Sequence, residues 1–304
     1  MSEQAGHSVV AVEISPTHLK FVEFFPFENR VAAVAVEALQ LARWGNDAYL
    51  EEQIRTAMER HVKAENTDVI TSVFAGHTIL RTVEIPDDEE NFLKALRWDM
   101  GQYLARPLDE YLMDYQSLGH NQAGDGRLYL VAAYRRSEVE RLRRVWENAG
   151  FTPAILDVDA FAAVNAFEAN YPGQQTEPTF LIKADSHAVL CIRAQNGMFL
   201  SFDAISVDAN SQPNLADLAE QVSASFDASQ LASGKIRQIF LCGDLALNEK
   251  FRELLEEALR ARVTLLDAFR EMQFIEGAEM GDAFSCAPQC AAALGLALRR
   301  AGDC

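Results

Sequence analysis

VVAVEISPTHLKFVEF, Val9 to Phe24, reads as two apolar strands joined by a turn that carries Ser15, Pro16 and Thr17. Glu13 closes the first strand and Lys20 opens the second. After the polar turn PFENR comes a third apolar run, VAAVAVEAL, so the chain opens on an antiparallel meander of three strands. The pattern restarts far downstream. TFLIKADSHAVLCIRAQNGMFLSFDAISV, Thr179 to Val207, is again strand, turn, strand, turn, strand, and its QNG step is a hairpin signal. PGQQTEP, Pro172 to Pro178, precedes it as the clearest linker. Two meanders of one design predict an internally duplicated α/β protein.

The segments between them predict further elements. Asp47 can cap a helix with Leu50, Ile54, Ala57, Met58 and Val62 on one stripe. DVITSVFAG and TILRTVEIP are strands, and Pro86 stops the second. Asp87 and Asp88 then fall at a helix start, where the dipole favours anions. This helix presents Phe92, Leu93, Leu96, Met100, Tyr103 and Leu104, and Pro107 ends it. EYLMDYQSLG and LYLVAAYR are strands, and a helix after them stops at Gly150. In the second half, helices are expected from Leu215 to about Leu231, over EKFRELLEEALRARV, and over residues 287–300.

The bulk properties restrict the function. The 304 residues suit one large α/β domain or two medium ones, and the formal charge of −18 repels phosphate backbones, which argues against a nucleic-acid partner. No apolar run approaches the roughly 18 residues that span a bilayer, and MSEQAGHSVV lacks a signal peptide's basic start and apolar core. A cytoplasmic location is expected. The five cysteines form no CxxC pair, so reduced, buried thiols are the expectation. Cys286 and Cys290 lie four apart without a histidine nearby, and no metal site is expected.

RTVEIPDDEENFLKALRWDMGQYLARPLDEYLMDYQSLG, Arg81 to Gly119, resembles the signature of the PilM family of type IV pilus assembly proteins through Arg81, Glu84, Pro86, Trp98, Asp99, Tyr103, Pro107, Asp114 and Tyr115. LYLVAA, ENAGFTPAILDVDAFA and APQCAAALGLALR are similar to later blocks of that family, so the resemblance runs from Val9 to Arg300. It implies an actin-like, ribonuclease-H-like two-lobe fold with a 1C subdomain of the FtsA type. The first lobe would be residues 1–175, with 1C at about 69–150, and the second lobe residues 176–304, with helix 287–300 packing back on the first. The resemblance also implies a place on the cytoplasmic face of the inner membrane. There such proteins hold the N-terminal cytoplasmic peptide of PilN, a single-span protein, beside 1C and couple to other platform or motor proteins. Candidate partner-binding residues on this basis are Arg81, Phe92, Trp98, Tyr103, Arg106 and Pro107. The oligomeric state is left open.

At the nucleotide site the sequence departs from the family. The first phosphate turn there resembles Asp-Ile-Gly-Ser-Ser-Ser-x-Lys. Here Glu13 replaces the acid, Ser15 the glycine, and Pro16 removes an N–H donor, leaving Thr17 and Lys20 as remnants. Lys20 can equally be a strand lysine facing solvent. In the second turn Lys183 stands where an aspartate is expected, reversing the charge, and Asp185 is a shifted candidate. The base-side turn keeps one glycine, Gly243. The strand ending near Val207 passes to the next helix within a short polar stretch, so subdomain 2B is expected to be absent. No catalytic residue, cofactor or bound ATP with magnesium is expected, and the function implied is that of a scaffold. The alternatives are an active actin-like ATPase or sugar kinase using Glu13, Asp157 or Asp159, a polymerising filament, or a GspL-like component of type II secretion. In the scaffold reading, one carboxylate of DVDAFA caps the following helix.

Overall fold

Strands β1 (His7–Ile14), β2 (His18–Phe25) and β3 (Arg30–Ala38) form the expected meander, and β4 (Asn66–Val73) and β8 (Pro153–Val158) extend it in parallel on the other side of β1. The second half repeats the plan with β9 (Thr179–Ala184), β10 (Ala188–Gln195) and β11 (Met198–Ser206), followed by β12 (Gln238–Cys242) and β13 (Thr264–Leu265). The strand orders β3-β2-β1-β4-β8 and β11-β10-β9-β12-β13 match position for position, so the duplication read from the sequence is a duplication of topology. The structure is a computed structural model describing residues 7–62, 66–121, 123–174, 176–195, 198–207, 214–226, 238–279 and 285–299. Asn196 and Gly197 of the QNG turn lie outside these residues.

Helices α1 (Asp47–His61), α3 (Arg136–Ala149), α4 (Asp159–Asn170), α5 (Leu215–Ser225), α6 (Glu249–Leu259) and α7 (Ala291–Ala297) arrange the sheets in layers. Side chains alternate across a strand. On β1, Val10 and Val12 therefore enter a core with Leu50, Ile54 and Trp146 of α1 and α3. Val9 and Ala11 enter the central core, where α4 and α7 lie between the two large sheets together with Leu181, Leu190 and Ile192. The far face of the second sheet is covered by α5 and α6 through Leu218, Val222, Phe251 and Leu255. α4 and α7 meet through small residues. A Cβ on Gly295 would overlap the Ala162 carbonyl, so only glycine permits this approach.

A third sheet, order β5-β7-β6, comprises β5 (Ile79–Pro86), β6 (Tyr111–His120) and β7 (Gly126–Arg135). Helix α2 (Phe92–Gly101) covers one face through Leu96 and Met100 on Val83, Ile85 and Val131. Leu80, Leu118, Leu130 and Tyr134 on the other face join the central core.

Several boundaries differ from the expectations. β4 pairs with β1, α3 packs on α1, and the third sheet with its helix spans Ile79 to Arg135. The chain returns to the first sheet before its C-terminal helix, because β14 (Gln273–Glu279) pairs with β3. Asn46, not Asp47, caps α1 by accepting from the Tyr49 N–H, and Asp47 bonds Arg141 instead. Asn91 caps α2, so Asp87 and Asp88 precede the helix rather than cap it. α2 stops at Gly101, and Pro107 leads into a 3-10 turn, Leu108–Glu110. α7 is shorter than 287–300. α5 ends at Ser225, with Phe226 already extended, short of the end expected near Leu231, a position outside the described residues. β11 ends at Ser206 and α5 begins at Leu215.

Candidate functional site

The turns after β1 and β9 face each other across the central layer. Glu13 and Lys20 are register partners on β1 and β2, and Lys183 is the penultimate residue of β9, just before Ala184 and Asp185. Glu13, Lys20, Lys183 and Asp185 are all buried. The full burial of Lys20 excludes one of its two readings, a strand lysine facing solvent. Its Nζ lies 3.4 Å from Glu13, 3.3 Å from Asp185 and 3.0 Å from Asp244. The Nζ of Lys183 lies 2.8 Å from Glu13 and 3.0 Å from Asp159, and it makes a short ion pair with Asp185. Each ammonium is therefore bonded to carboxylates of the opposite half of the chain.

The rest of the cluster is satisfied internally. Gln289 Nε2 donates to Asp244 at 2.7 Å, and the Asp244 N–H donates to Asp185 at 3.0 Å. Gly243 adopts φ 91°, and a Cβ there would lie 2.5 Å from the Ala184 carbonyl oxygen, so this glycine is kept by the close approach of two strand ends. Thr17 Oγ1 donates to Asp244 at 3.2 Å and lies 3.0 Å from Ser186 Oγ. Ser15 closes its own turn, its hydroxyl donating to the His18 carbonyl at 3.2 Å and accepting from the His18 N–H.

The electrostatics reflect burial and pairing. Burial alone would lower the ammonium of Lys183, but Asp159, Asp185 and Glu13 hold it well above the usual lysine range. Lys20 is raised in the same way by Asp185, Glu13 and Asp244. Asp185 is pulled down to about 2 against its own burial, chiefly by Lys183 and Lys20. Asp244 is lowered by Lys20 and His18. Glu13 goes the other way: burial outweighs the two lysines, and its carboxyl is raised.

Glu13, Asp159 and Asp185 each offer an oxygen within 4.8 Å of the others, the spacing of a cation site. An oxygen of each is already on the Lys183 ammonium. A metal ion among them would collide with that group, so this arrangement does not fit a metal-bound nucleotide. The expected capping role of DVDAFA is not met. Val158 is the N-cap of α4, without a side-chain cap, while Asp159 accepts from the Ala75 N–H at 2.7 Å and Asp157 pairs with Arg299 at 2.9 Å. Asp244, Gln289 and Ser186 are not among the candidate site residues that the sequence suggests. Cys286 and Cys290 place their sulfurs 3.6 Å apart just before α7.

The candidate partner-binding residues separate into two groups. Phe92 packs inward on the rings of Tyr115 and Tyr129, 5.1 and 4.7 Å away. Arg106 pairs with Glu110 at 3.3 Å, and Pro107 starts the adjoining turn. Arg81 stacks over Tyr103 at 4.1 Å. Trp98 is 71% exposed and Leu93 55%, with Tyr103 and Tyr115 also open to solvent on the same small unit.

Duplicated sheets enclosing a cleft between their first turns define the actin-like class. A Bacteroides thetaiotaomicron protein described as having an actin-like ATPase fold superposes with a TM-score of 0.52 at 9% identity, over 87% of this chain and 93% of its own. The cytoplasmic domain of EpsL, an inner membrane component of the type II secretion system of Vibrio cholerae, superposes at 0.52 with 13% identity and 88% of each chain covered. A structure described as the PilM-PilN type IV pilus biogenesis complex reaches 0.81 at 18% identity, over 96% of this chain and 98% of its own. The family model described as type IV pilus assembly protein PilM matches residues 5–184 and 210–301. The chain belongs to the PilM family. Among the described residues no helix is long and apolar enough to cross a membrane.

Proposed function

We propose that this protein is a scaffold of a type IV pilus inner-membrane assembly platform. It holds the cytoplasmic N-terminal peptide of a PilN-like single-span partner and does not turn over ATP. The observation that carries the reading is the position of Lys183. Its ammonium sits among the three carboxylates that would otherwise face a metal-bound nucleotide. The hydroxyls of Ser15 and Thr17 support it, because their hydrogen bonds are made within and between the turns rather than offered to a phosphate. The short link from Ser206 to Leu215 leaves no room in sequence for a separate 2B subdomain to wall a base.

The working surface is then the unit of β5, α2, β6 and β7. Its helix buries Leu96 and Met100 yet exposes Trp98 and Leu93. Large exposed apolar side chains on a small, separately cored unit mark an interaction surface. The protein sits on the cytoplasmic face of the inner membrane through this partner. Two measurements test the proposal. The full chain should co-purify with the PilN-like protein and bind its N-terminal peptide, and calorimetry with ATP and Mg²⁺ should show no binding. Micromolar affinity for ATP with Mg²⁺ sinks the non-enzymatic reading.

A further inference from the structure

We infer that Lys183 is a built-in counter-cation: it closes the cleft without a ligand and is the residue that bars a divalent ion from it. This rests on the non-enzymatic reading of the cleft and goes beyond it by naming the determinant. Three observations converge. Glu13, Asp159 and Asp185 have the mutual spacing of a cation site, and all three are buried. One ammonium, fully desolvated, bonds an oxygen of each. The carboxylates come from both halves of the chain, Glu13 and Asp159 from the first and Asp185 from the second.

The consequence is a trade of one positive charge for another. Buried carboxylates at this spacing require compensation. A lysine supplies it covalently and permanently, on a strand whose register is fixed by pairing to β10 and β12. A divalent ion would bind reversibly, and its departure would leave the cleft charged and free to open. Lys20 makes the reciprocal bridge from the first sheet to Asp185 and Asp244, so the two ammoniums cross-link the halves in opposite directions. The cleft is accordingly held in one closed state. Removing the Lys183 charge should free an oxygen of Glu13, Asp159 and Asp185 for Mg²⁺ or Mn²⁺, with Lys20 still 3.4 Å from Glu13 and 3.3 Å from Asp185.

The test uses the full chain with Lys183→Ala and Mn²⁺ as the probe. The parent protein should show neither Mn²⁺ binding by calorimetry nor a change in melting temperature with millimolar Mn²⁺. Lys183→Ala should melt well below the parent without metal, take up one Mn²⁺ per chain, and recover much of the lost melting temperature. Adding Glu13→Gln to Lys183→Ala should weaken that binding at least tenfold. If Lys183→Ala does not fold alone, refolding with Mn²⁺ should rescue it. A folded Lys183→Ala protein without Mn²⁺ binding overturns the inference, as does a failure of Mn²⁺ to rescue refolding. Mn²⁺ binding to the parent also overturns it. ATP binding by the parent, in contrast, counts against the proposed function alone.

Discussion

The Lys183 ammonium, on a strand of the second sheet, lies 2.8 Å from a carboxylate oxygen of Glu13 at the end of the first strand of the first sheet. Both side chains are almost wholly out of water. The pair thus joins the two repeats of the fold at their equivalent turns. Charges buried this deeply are tolerated only with their partners present.

Lys20→Met should be strongly destabilising. It leaves Asp185 and Asp244 short of a counter-charge in a desolvated site, and breaking a buried pair from one side costs about 3–5 kcal/mol. Denaturant unfolding of the parent and the variant measures it. A loss below about 1 kcal/mol would show that the cluster is far more hydrated than its burial implies.

Glu13 sets a pH dependence of opposite sign to that of Asp185 and Asp244. Its carboxyl is raised by burial, so the stability it contributes is complete below the unfolded value of 4.5 and is lost as pH rises through the folded one. The stability of Glu13→Gln should therefore rise relative to the parent as pH goes from about 4 to neutral. Asp185 behaves conversely. Lowered from 3.8 to about 2, it contributes stability above the unfolded value that disappears as pH falls toward the folded one. Melting curves across this range separate the two, and a difference between Glu13→Gln and the parent that does not move in the variant's favour as pH rises would contradict the sign.

Gly295→Ala should destabilise through packing alone. The added methyl overlaps the Ala162 carbonyl, and forcing α4 and α7 apart costs about 1–3 kcal/mol. Gly101→Ala is the control. Nothing lies within 4 Å of that position on α2, so the helix gains up to about 1 kcal/mol of propensity. Equal effects at the two glycines would refute the close-contact account.

Trp98→Ala should leave folding within about 0.5 kcal/mol of the parent, because the ring is largely solvated. Binding of the PilN-like peptide should weaken by about 2 kcal/mol or more if this ring anchors it. Peptide titration by anisotropy, beside a melting curve, reads both. Unchanged affinity would move the partner surface away from α2.

The strands are legible because a buried strand in such a fold is a near-continuous apolar run bounded by turn residues, as Val9–Ile14 and Thr179–Ala184 are. The duplication is visible where that run restarts. Helix ends are less legible. Asn46 and Asn91 cap their helices where neighbouring aspartates give an equally good local signal. The apolar spacing overextends α2 because Tyr103 and Leu104 continue it into a turn. Trp98 fits the sequence of a helix beside a sheet whether it faces inward or outward, and only the placement of α2 on Val83, Ile85 and Val131 turns it to solvent.

Two meanders and their linker are legible in the chain alone, since each is a property of neighbouring residues, and the charge reversal at Lys183 is legible only against the pattern of the family that the chain resembles. The sequence did not determine what that lysine does. Lys20 read equally as a remnant of a phosphate turn or as a strand lysine facing solvent, while Asp244 and Gln289 were not among the candidate site residues. Their meeting with Glu13, Asp159 and Asp185 depends on two sheets packing across α4 and α7, so that turns far apart in the chain share one desolvated space. A buried ion pair leaves no periodic trace along a strand: its energy lies in contacts between segments, and only the tertiary structure brings those together.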